Sequence, residues 1–261
     1  MLNTVLKAGQ VLDLFDKQNP EWGVSEVATE LDIPKSSAHS LLASLAQIGL
    51  LRHGEGGRYR LGWKMLNFGQ IVIDTTEFRV ESRAVMEQLA AQYRETIHLA
   101  VLDDGVVVYA DKLQGQQAVQ VAVTGLGVRL SPHCSAVGKV LLSHQPWPWV
   151  REIMEKQGMP KFTDNTITDV DRFQEELLQV REQGFAYDLE EAVPDLCCVA
   201  APIYDYDSEV VASLSMSIPA YRFERAKKEY RGAVIRACQK ISRNLGYMEF
   251  ISSYRKKAAN K

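Results

Sequence analysis

The spacing of apolar residues changes abruptly at Gly49, and this change limits what the first 62 residues can form. Before Gly49, apolar residues recur every three or four positions in three short stretches, which is the spacing of amphipathic helices. After Gly49 the chain reads LLR, a glycine-rich turn over 54–57 and RYRL, which is typical of a two-stranded hairpin. We expect the first helix to end near Asn19 and Pro20, Ser25 to cap the second helix, and Pro34 to lie in the first turn of the third. Three short helices and a hairpin predict a winged helix-turn-helix.

Polar and cationic residues cluster where a helix-turn-helix would meet DNA. The helix that enters the major groove needs such side chains near its N-terminus, because base edges are within reach there. The third helical stretch begins with suitable residues: Lys35, Ser36, Ser37, His39 and Ser40. The predicted hairpin adds residues for phosphate or the minor groove: Arg52, Arg58, Tyr59 and Arg60. Two interpretations stay open: a DNA-binding domain, and a small helical domain whose solvated basic edge binds protein.

The charge is distributed unevenly along the chain. Residues 1–62 contain six Lys and Arg and seven acids, a net charge of -1, but residues 33–62 hold four of those cations and Glu55 as their one acid. Residues 220–261 contain twelve Lys and Arg and three acids, a net charge of +9, which leaves -12 for the rest. A solvated helix face accounts for these C-terminal cations most simply. The alternative is that they hold bent DNA or an acidic neighbouring subunit.

The remainder of the chain predicts an α+β domain behind a linker. Amphipathic helices are expected from Trp63 to about Asp74 and from Phe78 to about Tyr93. Strands are expected in IHLAVL, VVVYADKL, AVQVAV, CVAAPIYD and VVASLSMSI, and helices in SAVGKVLLSH, over 170–183 and from about Phe223 to Leu245. The predicted division is a winged helix-turn-helix over 1–62, a linker helix over 63–78, an α+β domain over 79–250 and a basic tail over 251–261.

Composition excludes several classes of protein. With 261 residues, 46% hydrophobic and 24% charged, the chain is typical of a globular protein of one or two domains. A net charge of -3 argues against a strongly basic nucleic-acid coat. The four cysteines form no C-x-x-C pair and are too sparse for a disulfide framework, so we expect a cytoplasmic protein with no metal and no cofactor. No signal peptide and no membrane partner are expected either.

Several segments together carry a specific resemblance. They are SEVATELDIPKSSAHSLLASLAQIGLL, RYRLGWKMLNFG, ETIHLAVLDDGVVVYADKL, SAVGKVLLS, TDNTITD, QGFAYDLEEAVPDLCCVAAPIYD and ISRNLG. The chain resembles the IclR family of bacterial transcription regulators over nearly its whole length. The resemblance implies a winged helix-turn-helix joined by a linker helix to a GAF-like effector-binding domain. It also implies a homodimeric or homotetrameric repressor of a catabolic operon, whose binding to a double-stranded DNA operator responds to a small organic or aromatic acid.

The resemblance also implies an effector site. Residues carried over onto this sequence are Ala136, Val137, Asp188, Cys198, Ser215 and Ser217, with Val119, Ala122, Leu130 and Leu196 as apolar walls. Backbone N–H groups near Ala136 could hold a carboxylate, and Ser215 and Ser217 would share one face of a strand. A small anion with a hydroxyl or keto group would fit. The alternative is that the serines satisfy backbone groups in a sheet and Cys198 is a small buried hydrophobe.

Two positions depart from the family pattern. Ser40 follows His39 where family members commonly have arginine, so a bidentate contact to guanine or phosphate is missing and operator sequence cannot be transferred. Asp195 precedes Leu196 where the pattern has glycine. Its carboxylate either changes the charge at the pocket mouth or lies in solvent.

Two other functions are weighed against a regulator. An enzyme would use Cys198 or Ser215 as nucleophile, but the sequence has no G-x-S-x-G elbow and no evident histidine partner apart from His133, which is distant in sequence. A ligand sensor without DNA binding is suggested by the missing arginine after His39, while the hairpin arginines argue against it. The sequence therefore favours a regulator that is not an enzyme.

Overall fold

The computed structural model describes residues 2–116 and 125–248, and contacts divide the chain into two units, Met1–Thr75 and Thr76–Lys261. The predicted strand AVQVAV, the predicted wall residues Val119 and Ala122, and the basic tail over 251–261 lie outside the described residues.

The first unit contains the predicted three helices and hairpin. Its elements are α1 (Asn3–Asp13), β1 (Glu21–Trp22), α2 (Val24–Glu30), α3 (Lys35–Gln47), β2 (Leu51–His53), β3 (Tyr59–Leu61) and α4 (Trp63–Thr75). The strands form an antiparallel sheet in the order β1-β3-β2. Val11, Val27, Leu42 and Leu51 pack in its core. The winged helix-turn-helix is confirmed, and β1 was missed because two residues carry no periodic signal.

Local hydrogen bonds correct two expected helix ends. The first helix stops at Asp13, not near Asn19, because the Asp16 carboxylate accepts hydrogen bonds from the backbone N–H groups of Gln18 and Asn19 at 2.7 and 2.6 Å and closes a turn. Ser25 is not the cap of the second helix. Gly23 occupies that position, and its N–H donates to Glu26 Oε2 at 2.8 Å.

The second unit is built on a six-stranded antiparallel sheet. Its elements are α5 (Glu77–Tyr93), β4 (Thr96–Asp103), β5 (Val106–Leu113), β6 (Arg129–Leu130), α6 (Ala136–Ser143), α7 (Trp147–Gln157), α8 (Val170–Gln183), β7 (Ala186–Leu189), β8 (Leu196–Tyr204), β9 (Val210–Pro219) and α9 (Ala220–Asn244). The strand order is β6-β5-β4-β9-β8-β7. The α+β class is thereby confirmed.

The two faces of this sheet bury different side chains. Ile97 and Leu214 point to the face that packs against α5 and α9, in a large apolar core with Phe223. Successive residues of a strand point to opposite faces, so His98 and Ser215 point to the other face, toward α6. That second face is where polar side chains are enclosed.

Candidate functional site

Helix α3 presents its polar residues because its other face is held in the core. Ala38, Leu41, Leu42 and Leu45 are buried, which anchors the helix on one side. The N-terminal residues Lys35, Ser36, His39 and Ser40 are exposed, and Ser37 is half-buried. Asp32 adopts a φ of 48° in the turn before α3, a left-handed conformation that aspartate tolerates. The fold thus exposes the end of α3 from which a helix-turn-helix reads DNA.

Ser40 is partly committed to its own helix. Its hydroxyl donates to the Ser36 carbonyl at 2.9 Å, one turn earlier. Lys35 and His39 extend from the same end of α3 without that constraint. Ser40 gives this surface a smaller and less basic side chain than the arginine that the family resemblance implies at this position.

The hairpin arginines differ in what they contact. Arg58 makes a bidentate contact to the Glu26 carboxylate, at 2.9 and 2.7 Å, and its Nη2 donates to the Glu21 carbonyl at 2.9 Å. This contact lowers the pKa of Glu26. Arg60 pairs with Glu21, its partner on β1. Arg52 is exposed and lies over the Trp63 ring, 5.3 Å from its centroid.

These contacts change the expected DNA face of the hairpin. Two of its three arginines already have carboxylate partners, which a phosphate would have to displace. Tyr59 is 4% exposed and packs in the core, so its ring cannot reach DNA without leaving the core. The prediction that Tyr59 contacts DNA is therefore corrected: it holds the hairpin onto the helices.

A cavity of about 190 Å³ lies in the second unit between the sheet and the segment that leads into α6. Eight predicted effector residues line it: Leu130, Ala136, Val137, Asp188, Leu196, Cys198, Ser215 and Ser217. Ser135, at the predicted helix start, also lines it. The structure adds further lining residues that the sequence did not identify: His98, Tyr109, Ser131, Cys134, Phe162, Ala192 and Val193. Asp195 is exposed and does not line the cavity, which places its carboxylate on the solvent side.

Strand register brings the polar groups into one row. Asp188 on β7 is paired with Cys198 on β8, and Cys198 is paired with Ser217 on β9. Cys198 Sγ is 3.1 Å from Ser217 Oγ, and Ser217 Oγ is 3.3 Å from His98 Nδ1. Residues paired across neighbouring strands place their side chains on the same face of the sheet. Three polar side chains therefore form a row across β7, β8 and β9. His98 on β4 is paired with Ser215 and reaches this row diagonally, through Ser217.

The start of α6 supplies backbone donors to the same cavity. Ser135 caps the helix, and its hydroxyl accepts from the Gly138 N–H at 3.2 Å. The N–H groups in the first turn of a helix have no partner within it and favour anions. Gly138 allows a close approach to the preceding turn, because a Cβ there would lie 2.2 Å from the Pro132 carbonyl oxygen. Ala136 and Val137 are thereby held at the cavity wall.

A buried lysine fixes α6 against its neighbours. Lys139 is 1% exposed, and its Nζ lies 2.6 Å from Glu191 Oε1 and 3.0 Å from Glu176 Oε1. It also donates to the Tyr187 carbonyl at 3.1 Å. Glu191 in turn donates its backbone N–H to Asp188 Oδ1 at 2.7 Å. The lysine thus links the helix start to the aspartate in the cavity.

Burial changes the ionisation of the cavity residues. Together, the surroundings of Asp188 raise its pKa to about 7. Burial is the main cause of the rise and the Glu191 carboxylate adds to it, whereas the backbone N–H of Glu191 and the charge of Lys139 lower it. Burial also lowers the pKa of His98 to about 3, so its imidazole is neutral at physiological pH. The pKa of the Cys198 thiol is raised well above its ordinary value, mainly by burial. A thiol that stays protonated is a poor nucleophile.

Among the described helices, none combines the length and the hydrophobicity that a membrane crossing requires.

Two family models match the chain. Residues 4–55 match the IclR helix-turn-helix domain, and residues 70–243 match the C-terminal domain of the bacterial transcriptional regulator IclR. Among curated relatives, the chain is 32% identical over 249 residues to the HTH-type transcriptional regulator XynR of Escherichia coli K12, covering 95% of this chain and 98% of XynR. It is 26% identical over 243 residues to the transcriptional repressor IclR of the same strain, covering 92% and 88%.

Solved structures share the fold. The crystal structure of the Thermotoga maritima IclR aligns with a TM-score of 0.71 and 30% identity, over 95% of this chain and 100% of that one. An IclR homologue of Microbacterium hydrocarbonoxydans, crystallised with 4-hydroxybenzoate, aligns with a TM-score of 0.79 and 24% identity over 93% and 98%. The chain belongs to the IclR family: it is a DNA-binding transcriptional regulator and not an enzyme.

Proposed function

We propose that this protein is a repressor of a catabolic operon and that a small organic or aromatic acid in the second unit controls its operator binding. The observation that carries the proposal is the 190 Å³ cavity, in which a helix start faces a row of buried polar side chains. Cavities that recognise small molecules are mostly apolar with a few placed polar groups, and this one has that composition. The Escherichia coli relative IclR is named a transcriptional repressor, which supports repression over activation for this protein.

The carboxylate of the effector is assigned to the start of α6. Backbone N–H groups of Ala136 and Val137 offer hydrogen bonds to an anion there. Asp188 lies across the cavity, and with a pKa of about 7 it carries little charge below neutral pH, so it does not repel an acid strongly. Leu130, Leu196 and Phe162 provide apolar contacts for the carbon skeleton.

Cavity volume limits the effector to a small molecule. A cavity of roughly 150 Å³ in another protein holds one benzene molecule. The 190 Å³ here suits a single ring or an open chain of similar size. The Microbacterium hydrocarbonoxydans homologue was crystallised with 4-hydroxybenzoate, a one-ring acid of the size that this cavity suits.

DNA recognition is assigned to the N-terminal half of α3. Lys35, Ser36, Ser37, His39 and Ser40 would meet base edges and adjacent phosphates. Arg52 is the hairpin residue best placed for phosphate, since Arg58 and Arg60 contact carboxylates. In contrast, Arg58 and Arg60 become available to DNA only if Glu21 and Glu26 release them.

A second copy of the chain is the proposed partner of the exposed apolar side chains on α1 and α4 of the first unit. Leu2, Val5 and Leu6 on or beside α1 are 77%, 64% and 51% exposed, and Trp63 and Leu66 on α4 are 75% and 67% exposed. Helix α4 buries none of its residues in the single chain. Surfaces of this kind mark protein interfaces, and paired recognition helices suit a symmetric operator. We therefore propose a homodimer, or a homotetramer formed from two such pairs.

Fluorescence anisotropy of the full chain on DNA that flanks its own gene, with scrambled DNA as control, tests this function. We expect tighter binding to the native DNA at physiological salt, and a change in that binding with one or more acids from a panel of organic and aromatic acids. Lys35→Ala should weaken binding, while Lys17→Ala, an exposed lysine outside α3, serves as the matched control. Equal binding to both DNAs, unmoved by every acid, would rule out the proposal.

A further inference from the structure

A histidine that lines the cavity has one buried ring nitrogen without a hydrogen-bond partner in the described part of the chain. His98 is 1% exposed and lines the cavity, and its Nδ1 is 3.3 Å from Ser217 Oγ. Its Nε2 has no partner among the residues that the structure describes. A buried polar atom left without a hydrogen bond costs about 1–3 kcal/mol, so such an atom in a native protein needs an explanation.

The imidazole is fixed in position and polarity. Its ring stacks on Tyr109 with 4.7 Å between the ring centroids, and Ser217 anchors its Nδ1. Burial keeps the ring uncharged, so one of its nitrogens donates a hydrogen bond while the other accepts one. Cys198, Ser217 and His98 form a chain in which each hydroxyl or thiol can point in either of two directions. Reversing the chain converts Nε2 from a donor into an acceptor.

Because the Cys198–Ser217–His98 chain can reverse, chemical groups differ in how well they satisfy Nε2. A hydroxyl group both donates and accepts, and it can therefore satisfy Nε2 in either direction of the chain. A keto oxygen only accepts and fits one direction. A methyl or hydrogen fits neither, because it leaves the nitrogen without a hydrogen bond.

We propose that His98 Nε2 contacts a hydroxyl group of the effector, so that the protein selects hydroxylated carboxylic acids over acids of the same skeleton that lack the hydroxyl. This inference rests on the proposed function and assigns a specificity role to a residue outside the predicted site. The start of α6 takes the carboxylate, and His98, with Ser217 behind it, takes the hydroxyl. The cavity then recognises two polar groups of the effector, its carboxylate and its hydroxyl, which are separated by an apolar carbon skeleton.

Isothermal titration calorimetry of the full chain tests the inference with matched acids: 4-hydroxybenzoate against benzoate, mandelate against phenylacetate, lactate against propanoate and gluconate against hexanoate. At least one hydroxylated acid should bind the wild-type protein about tenfold more tightly than its partner, as expected for one hydrogen bond. A recognised pair then serves for the variants.

Two substitutions test the two ring nitrogens of His98 separately. His98→Asn keeps a polar group near Nδ1 for Ser217 and removes the one at Nε2, while His98→Gln keeps a polar group near Nε2. His98→Asn should reduce the preference for the hydroxylated acid from tenfold to less than about threefold, with the affinity for the plain acid unchanged. His98→Gln should retain most of the preference. Far-ultraviolet circular dichroism verifies that both variants fold.

Nuclear magnetic resonance distinguishes a direct contact between His98 and the acid from an effect of His98 on packing. In protein labelled with ¹⁵N-histidine, the His98 Nε2 resonance, assigned by its loss in His98→Asn, should shift with the hydroxylated acid and not with its partner. If acids bind but no pair is distinguished, or if His98→Asn keeps the preference, the inference is wrong and the proposed function stands. If no acid binds the wild-type protein, the proposed function fails, and the inference fails with it.

Discussion

At the residue scale, the cavity depends on side chains whose ionisation is set by burial. Asp188 has a pKa raised to about 7, and the groups that face it are Glu191, Lys139, Cys198, Tyr109 and Cys134. Burial raises the pKa values of the last three well above the physiological range, so they stay neutral there, as does the deeply buried His98. Asp188 is therefore the cavity group whose charge changes near neutral pH.

Effector binding should weaken as pH rises above about 7. Below this pH the Asp188 carboxyl is protonated and neutral, while above it a buried carboxylate faces an anionic ligand. The dissociation constant should rise by up to about tenfold per pH unit, the limit for one proton linked to binding. Calorimetric titration at pH 6, 7 and 8 measures this, and Asp188→Asn should remove most of the dependence. If the pH profile is unchanged in Asp188→Asn, the pH dependence of effector binding comes from another group.

Lys139 should be essential for the stability of the second unit. Lys139→Met leaves the buried Glu191 carboxylate without its cation, a change that typically costs about 3–5 kcal/mol. Lys161→Met is a matched control, since Lys161 pairs with Asp164 at an exposed site, where solvent screens the pair and leaves it with little effect on stability. Urea denaturation of the full chain compares the two. If both variants lose a similar amount of unfolding free energy, the buried Lys139–Glu191 pair contributes no more to stability than the exposed pair.

At the scale of elements, the hairpin is less available to DNA than its sequence indicates. Arg52→Ala should lower the slope of log affinity against log salt by about 0.9, the value for one phosphate contact. Arg58→Ala should change that slope much less, because Arg58 is already neutralised by Glu26. Anisotropy on operator DNA between 50 and 200 mM salt, roughly the range over which phosphate contacts are resolved, measures both. A larger effect for Arg58 would mean that Glu26 releases it on DNA.

Most elements with long periodic patterns were predicted well, whereas short strands and the helix α7 (Trp147–Gln157) were missed. The strand over Val106–Leu113 and the helix over Val170–Gln183 agree with the sequence, since both have long patterns and clear ends at glycine. The strands Glu21–Trp22 and Ala186–Leu189 were missed because they are held by pairing with distant strands. His98 was missed for the same reason: its place beside Ser215 depends on the β4–β9 register, which the local pattern does not contain.

The left-handed conformation of Asp195 accounts for one departure from the family pattern. Its φ is 59°, a conformation that glycine adopts most readily, which is why glycine suits this position. Its backbone N–H donates to Glu190 Oε2 at 2.8 Å, and its carbonyl accepts from the Ala220 N–H at 2.9 Å. These hydrogen bonds hold the turn before β8 with aspartate at this position, and the exposed Asp195 side chain does not line the cavity.

At the scale of the whole molecule, the exposed apolar surface of the first unit should hold two copies together. Leu66→Glu combined with Ile71→Glu should shift the protein toward monomer, because charges would be buried in the interface. Leu178→Glu, at a leucine of α8 that is 62% exposed, is the control and should leave the oligomer intact. Sedimentation velocity measures the change. An oligomer that survives the double substitution would place the interface elsewhere.

An acid bound in the cavity should change the affinity of the protein for DNA. The most direct test is the operator dissociation constant with and without an acid that binds, in the wild-type protein and in Ser217→Ala. We expect the acid to change the wild-type constant by at least about fivefold, a typical coupling between two sites, and to change that of Ser217→Ala much less. Both proteins should bind the operator equally well without acid. If the acid has an equal effect on both proteins, or no effect on either, then acid binding in the cavity does not control operator binding.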